Sequence, residues 1–149
     1  MKKRFNNLPN SQLYWKLPKS FGPDFQYATT VKTGNLLFVS GHGPKLVGFD
    51  NFNTQNLPIS KNNEWITGRL GEEITIEQAK IATETVIANM ISTIKKDIKD
   101  LNKIKKFVRL LVFINATSNF TEHYTIANSA TEYLINYFGV KGKCAMTVA

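Results

Sequence analysis

The chain has 149 residues, 42% of them hydrophobic and 20% charged, with a formal net charge of +8 at neutral pH. That is enough chain for one domain with a real core, and no apolar run approaches the ~20 residues needed to cross a bilayer. A single cysteine, Cys144, excludes an internal disulfide or a multi-cysteine zinc site, and two histidines, His42 and His123, exclude a histidine-rich metal centre. No cofactor is called for. The lone cysteine suits a reducing compartment, so cytoplasmic residence is the expectation.

Residues 1–24 read as an arm rather than a domain. They open Met1-Lys2-Lys3-Arg4 and contain no acid before Asp24. Such a start is compatible with an organellar targeting peptide, although Pro9 and Pro18 interrupt any amphipathic helix. Tyr14, Trp15, Leu17 and Phe21 are suited to anchoring the arm on the domain surface. Residues 27–41 (YATTVKTGNLLFVSG) then read as strand, tight turn, strand. Gly34-Asn35 would supply the positive φ angles of the turn. The second strand stops at Ser40-Gly41-His42-Gly43-Pro44, where two glycines and a proline expose backbone rather than pair it. Bare backbone at a strand end is a place to hold a small polar ligand.

Residues 45–63, rich in Asn, Gly and Lys, predict a long irregular loop, and 64–70 (EWITGRL) a short strand. A helix follows. Thr75 and Gln78 have the spacing of a capping box. Ile87, Ile91, Ile94, Ile98 and Leu101 form one apolar stripe, widened by Ala79, Ala82, Val86 and Met90 to a face suited to packing on a sheet. Residues 107–114 are β-branched and aromatic, as in a buried strand. A second helix is expected over about 120–138, with Ala127, Ala130, Leu134 and Phe138 on one side and Gly139 at its C-terminus. Residues 144–148 make a last strand. The order β-β-β-α-β-α-β predicts an α+β sandwich of two layers, a mixed sheet with two helices on one face. Lys95, Lys96, Lys99, Lys103, Lys105 and Lys106 alternate with Asp97 and Asp100, a pattern of a solvated helix face more than of a nucleic-acid patch. The excess charge would still attract anionic metabolites and, less specifically, RNA.

The 27–41 run resembles the opening of the RidA/YjgF family, small trimeric proteins that act on or bind imines, enamines and related metabolites. Further segments follow in that family's order. They are Ile66-Thr-Gly-Arg-Leu-Gly71, Glu77-Gln-Ala-Lys with Asn89, Asp100-Leu-Asn-Lys-Ile104, residues 107–120, Asn128-Ser-Ala-Thr131, and Phe138-Gly139. The similarity covers residues 25–149 and lies closest to the longer-looped branch. It implies a chorismate-mutase-like fold, a homotrimer, and ligand sites in clefts between subunits. It also implies a reaction in which water attacks a polarised imine carbon, releasing ammonia and leaving a keto acid.

Carried over by position, the resemblance places Tyr27 at the family's Tyr, Ser40 and Gly41 at its ligand-binding backbone, and Asn128 at its helical Asn. Each has a plainer reading: Tyr27 as a hairpin aromatic, Asn128 as an exposed helix residue, Ser40-Gly41 as turn chemistry. Gly142-Lys-Cys-Ala-Met-Thr-Val148 resembles the stretch G-R-S-A-V-G-V, which puts Lys143 where the carboxylate-gripping Arg stands. Lys keeps the charge without the planar fork, so a carboxylate would be held less rigidly. A desolvated Lys143 could alternatively form a Schiff base. Cys144 falls at the family's Ser and reads as packing before nucleophile. The family continues into a further strand whose Glu positions the attacking water, and this chain stops at Ala149. The leading expectation is therefore binding of small carboxylated imines or enamines between subunits, with deaminase turnover weakened. The alternatives are an RNA-binding factor, since the family also carries endoribonuclease and translation-inhibitor labels, and a trimer without a ligand. For RNA cleavage His42 is the one candidate base, and it reads more simply as a backbone hydrogen-bonding residue in the turn.

Overall fold

The computed structural model describes residues 27–46, 49 and 53–149. The arm and its aromatic anchors lie outside these residues. Two short strands, β1 (Thr30–Thr33) and β2 (Leu36–Val39), form an antiparallel hairpin in the register Thr30↔Val39 to Thr33↔Leu36. Gly34 turns the corner at φ +53°, whereas Asn35 does not adopt a positive φ. The turn therefore carries its left-handed residue only at the first central position, where glycine is favoured, rather than at both.

Helix α1 (Ile76–Ile98) begins at the anticipated capping box: Thr75 Oγ1 accepts from Gln78 N–H, and the Gln78 side chain accepts from Thr75 N–H. A 3₁₀ turn, Leu101–Lys103, leads to strand β3 (Arg109–Val112). Helix α2 (His123–Phe138) starts three residues later than the apolar pattern suggested. A turn centred on Ser118 and Asn119, closed by Phe120 N–H on Thr117 O at 3.1 Å, comes first, and residues 120–122 are irregular. A second 3₁₀ turn, Gly139–Gly142, precedes β4 (Ala145–Val148), which runs parallel to β3 with Arg109 opposite Ala145 and Val112 opposite Val148.

Among the described residues the fold is thus a small α+β arrangement of two α-helices and two two-stranded sheets. The expected strand over 64–70 is not a ladder. Trp65, Ile66 and Leu70 make isolated bridges to Lys45, to Ile59, and to Ile74 and Ala116 respectively. The segment changes partner every few residues, and Gly68 at φ +142° breaks its extension.

The core lies between the helices and β3. Ile87, Ala88 and Ile91 of α1 meet Ala130, Tyr133 and Leu134 of α2 over Leu110. A smaller cluster of Leu70, Ala79 and Ile126 seals the other end. The strand over 107–114, expected to be buried, is buried on one side only: Leu110 faces the core while Leu111 and Phe113 stand outward. Strand β2 does the same, with Leu36 and Phe38 outward. No helix among the described residues is long and apolar enough to cross a membrane.

Candidate functional site

The hairpin register determines what meets at its open end. Beyond the Thr30↔Val39 pair, Ser40 N–H donates to Thr29 O at 3.0 Å and Ser40 Oγ donates to Ala28 O at 2.6 Å. Tyr27, exposed, directly precedes Ala28 in the bent segment that enters the hairpin. Gly41 is exposed, a Cβ there would meet nothing within 4 Å, and no hydrogen bond among the described residues uses its backbone. The strand end offers an open N–H to solvent, as the glycines suggested.

The following loop is fixed from below by α1. His42 Nδ1 lies 2.7 Å from Ser40 O, and His42 Nε2 lies 2.8 Å from Thr93 Oγ1. One helical turn earlier, Asn89 Nδ2 donates to Gly43 O at 3.1 Å and to Lys45 O at 3.0 Å. Asn89 is almost wholly buried, in the middle of the apolar stripe. Gly43 has no room for a side chain, because a Cβ would come within 2.7 Å of the Trp65 ring. Lys45 Nζ in turn sits 5.4 Å from the centroid of that ring, a cation–π contact. Burial lowers the His42 pKa from its ordinary value, opposed by the Ser40 carbonyl.

The other candidate residues stand apart from this end. Lys143 follows the second 3₁₀ turn, exposed, with its backbone N–H on Val140 O at 3.2 Å. The chain thus provides little of the burial that a Schiff-base lysine requires. Cys144 packs against the main core, and burial pushes its thiol pKa up. That is the opposite of what a nucleophilic thiolate needs, and it agrees with the packing reading. Asn128 is exposed on α2 and donates to Glu132 Oε1, one turn on, at 2.7 Å. Glu84, across from it on α1, has its pKa raised by burial and then by Glu132. No hydrogen bond or ion pair joins Lys143 or Asn128 to the hairpin end.

So the hairpin end carries Ser40 and Gly41, with Ser40 bonded to Ala28 O next to Tyr27, and Lys143 and Cys144 lie just before β4, apart from it. Reading the sequence assigned His42 its backbone hydrogen bond but missed the two α1 residues beneath the loop. Asn89 had a visible signal, an amide inside an isoleucine stripe. Thr93 had none, since helix threonines usually bond their own backbone. Among the described residues there is no group of three or more His, Cys, Asp or Glu placed to hold a metal ion.

No family model matches the chain. It is similar to the protein TCP17 of Trypanosoma cruzi, 29% identical over 138 residues, which span 90% of this chain and 78% of TCP17. Among solved structures it resembles a protein from Shewanella oneidensis MR-1, provisionally assigned as an endoribonuclease, with a TM-score of 0.73 and 23% identity over 89% of this chain and 79% of that one. It also resembles Atu1372 of Agrobacterium tumefaciens, of unknown function, with a TM-score of 0.69 and 24% identity over 83% of this chain and 70% of that one. These likenesses support a RidA/YjgF-type fold for the chain.

Proposed function

We propose that this protein is a RidA-like member of the longer-looped branch that binds small carboxylated imine or enamine metabolites in clefts between subunits of a trimer. The observation that carries the proposal is the open Gly41 backbone at the end of β2. An exposed N–H with no competing acceptor and no side chain above it among the described residues can receive a carboxylate or a developing negative charge. In the assembly, Lys143 of a neighbouring copy supplies the cation for the carboxylate, with Tyr27 lining the cleft and Asn128 and Cys144 bordering it. The outward apolar rows favour association. Phe113 is 80% exposed, Phe38 60% and Leu111 53% in the single chain, and burying them between copies would close the two small sheets into one larger layer.

Hydrolysis would add water to the imine carbon, place protons on the nitrogen, and release ammonia with formation of the keto acid. The deciding experiment is ammonia release from freshly generated 2-aminoacrylate by the native chain, Lys143→Ala and Lys143→Arg, with pyruvate binding measured in parallel. Turnover lost in the Ala variant and raised in the Arg variant marks a deaminase with a loose carboxylate clamp. Pyruvate binding without turnover in any of the three marks a ligand-binding trimer. Neither binding nor turnover refutes the proposal.

A second reading, contact with RNA, is favoured by one observation. Lys105, Lys106, Lys141 and Lys143 are all exposed, and the hydrogen bond from Phe107 N–H to Lys141 O, 2.8 Å, sets their two segments side by side. No acid occurs between Asp100 and Glu122 or after Glu132 to balance them. RNA affinity would fall steeply between low and physiological salt, whereas pyruvate binding would change little.

A further inference from the structure

We infer that His42 is a positioning residue: anchored by Thr93, it locks the Ser40–Gly41 peptide so that the Gly41 N–H faces the ligand. The inference rests on the proposal above that Gly41 receives an anionic group.

The argument begins with the peptide unit. A trans amide points its C=O and its N–H in opposite directions, and no described peptide bond is cis. His42 Nδ1 holds Ser40 O at 2.7 Å, on the side of α1. The N–H of the same peptide unit, that of Gly41, must therefore point away from α1, toward the side where no acceptor stands among the described residues. A free glycine at this place could turn the peptide over at little cost. The histidine removes that freedom.

The ring can do this only with a proton on Nδ1. A carbonyl oxygen accepts and never donates, so Nδ1 must carry the proton. In the neutral ring Nε2 is then an acceptor, and the Thr93 hydroxyl, 2.8 Å away, is its donor. Burial, which lowers the ring pKa, keeps the neutral form populated near pH 7. Thr93 behaves differently from its neighbours on the helix: Thr83 Oγ1 donates to Ala79 O at 2.8 Å and Thr85 Oγ1 to Ile81 O at 2.9 Å. Those two close on their own helix backbone, while Thr93 turns to the imidazole. Asn89 completes the hold by taking Gly43 O and Lys45 O. Ser40 O is thereby held by His42 and Gly43 O by Asn89, and the Gly41 N–H between them is left as a donor for a ligand.

The test uses the full chain in solution, with Thr93→Val, which removes the hydroxyl and keeps the volume, and Thr93→Ser, which restores it. Long-range ¹H–¹⁵N spectra report the His42 tautomer, amide relaxation reports the order of Gly41, and pyruvate titration reports the Gly41 amide shift. The native chain and Thr93→Ser should show the Nδ1–H tautomer, an ordered Gly41 amide and a saturable shift. In Thr93→Val the tautomers should mix, the Gly41 amide should loosen, and pyruvate should bind about tenfold more weakly, the loss expected for one hydrogen bond to a charged group. Thermal unfolding shows whether each variant is folded, and Thr93→Ala serves in place of Val if the extra methyl is not accommodated. A folded variant in which the His42 tautomer and the Gly41 amide are unchanged overturns the inference. Altered tautomer and Gly41 order, with pyruvate binding to none of the proteins, supports the latch and overturns the ligand assignment instead.

Discussion

Asn89 and Gly43 are joined by a hydrogen bond from the Asn89 amide to the Gly43 carbonyl at 3.1 Å, and the same amide nitrogen reaches Lys45 O at 3.0 Å. Both hydrogens of Nδ2 are thus used, which fixes the orientation of the amide. Its Oδ1 is buried with no donor among the described residues. Asn89→Ala removes both bonds and leaves a cavity in the helix face. The expected loss is about 3 kcal/mol of stability, seen as a lower urea midpoint with an unchanged slope.

Two glycines should respond to the same substitution in opposite ways. A Cβ at Gly142 would lie 2.4 Å from the backbone carbon and oxygen of Leu134, and 2.6 Å from Ile135 N. Helix α2 cannot yield there without moving in the core, so Gly142→Ala should cost about 3 kcal/mol. Gly41→Ala meets nothing, and its stability should stay within about 0.5 kcal/mol of the native chain. Its methyl would nonetheless stand over the open N–H, so pyruvate binding should weaken while the unfolding midpoint holds.

Stability should carry a His42 signature in pH. The folded pKa lies below the ordinary value of 6.5, through burial first and against the Ser40 carbonyl. The unfolded chain then binds more protons in the window between the two values, so stability rises with pH there. The contribution is present above pH 6.5 and is lost as pH falls through the folded pKa. Glu84 acts in the other direction: its pKa is raised by burial and by Glu132, so its contribution is present below 4.5 and lost as pH rises through its folded pKa. The clean readout is the difference in stability between the native chain and His42→Gln across pH 5 to 7.5. A flat difference would refute the assignment.

Association should depend on the outward face of β3. Phe113→Glu places a charge on the most exposed aromatic of that row. Sedimentation should shift from the proposed trimer to the single chain, with the far-UV helix signal retained. An unchanged sedimentation coefficient would mean that copies meet elsewhere.

Some of this was legible from residues alone. The capping pair Thr75 and Gln78, the isoleucine stripe, Gly34 at the hairpin turn and Gly139 at the end of α2 are all local signals, and all stand where the pattern put them. Residues 64–70 misled because alternation reports which side chains face the core, not whether one continuous partner exists. Their partners come from four separate places in the chain. The half-exposure of Leu111 and Phe113 was hidden for a related reason: a run apolar on both sides reads as fully buried, and a single chain covers only one of those sides. At the site, Ser40-Gly41 and Tyr27 were visible as an interrupted hairpin. The His42–Thr93 contact, across 51 positions, was not, because nothing local distinguishes a threonine that turns to a histidine from one that turns to its own helix.

Helix α1 has a further consequence for the site. Asn89 and Thr93 lie one turn apart on it, interleaved with Ile87, Ile91 and Ile94 of the core face. The helix that is gripped by the core is also the bench on which the proposed ligand-binding loop is mounted. A rotation or slide of α1 would carry both anchors together and swing the Gly41 amide with them. Conservative changes among those isoleucines, remote from any ligand, should therefore be felt as changes in binding before they are felt as unfolding.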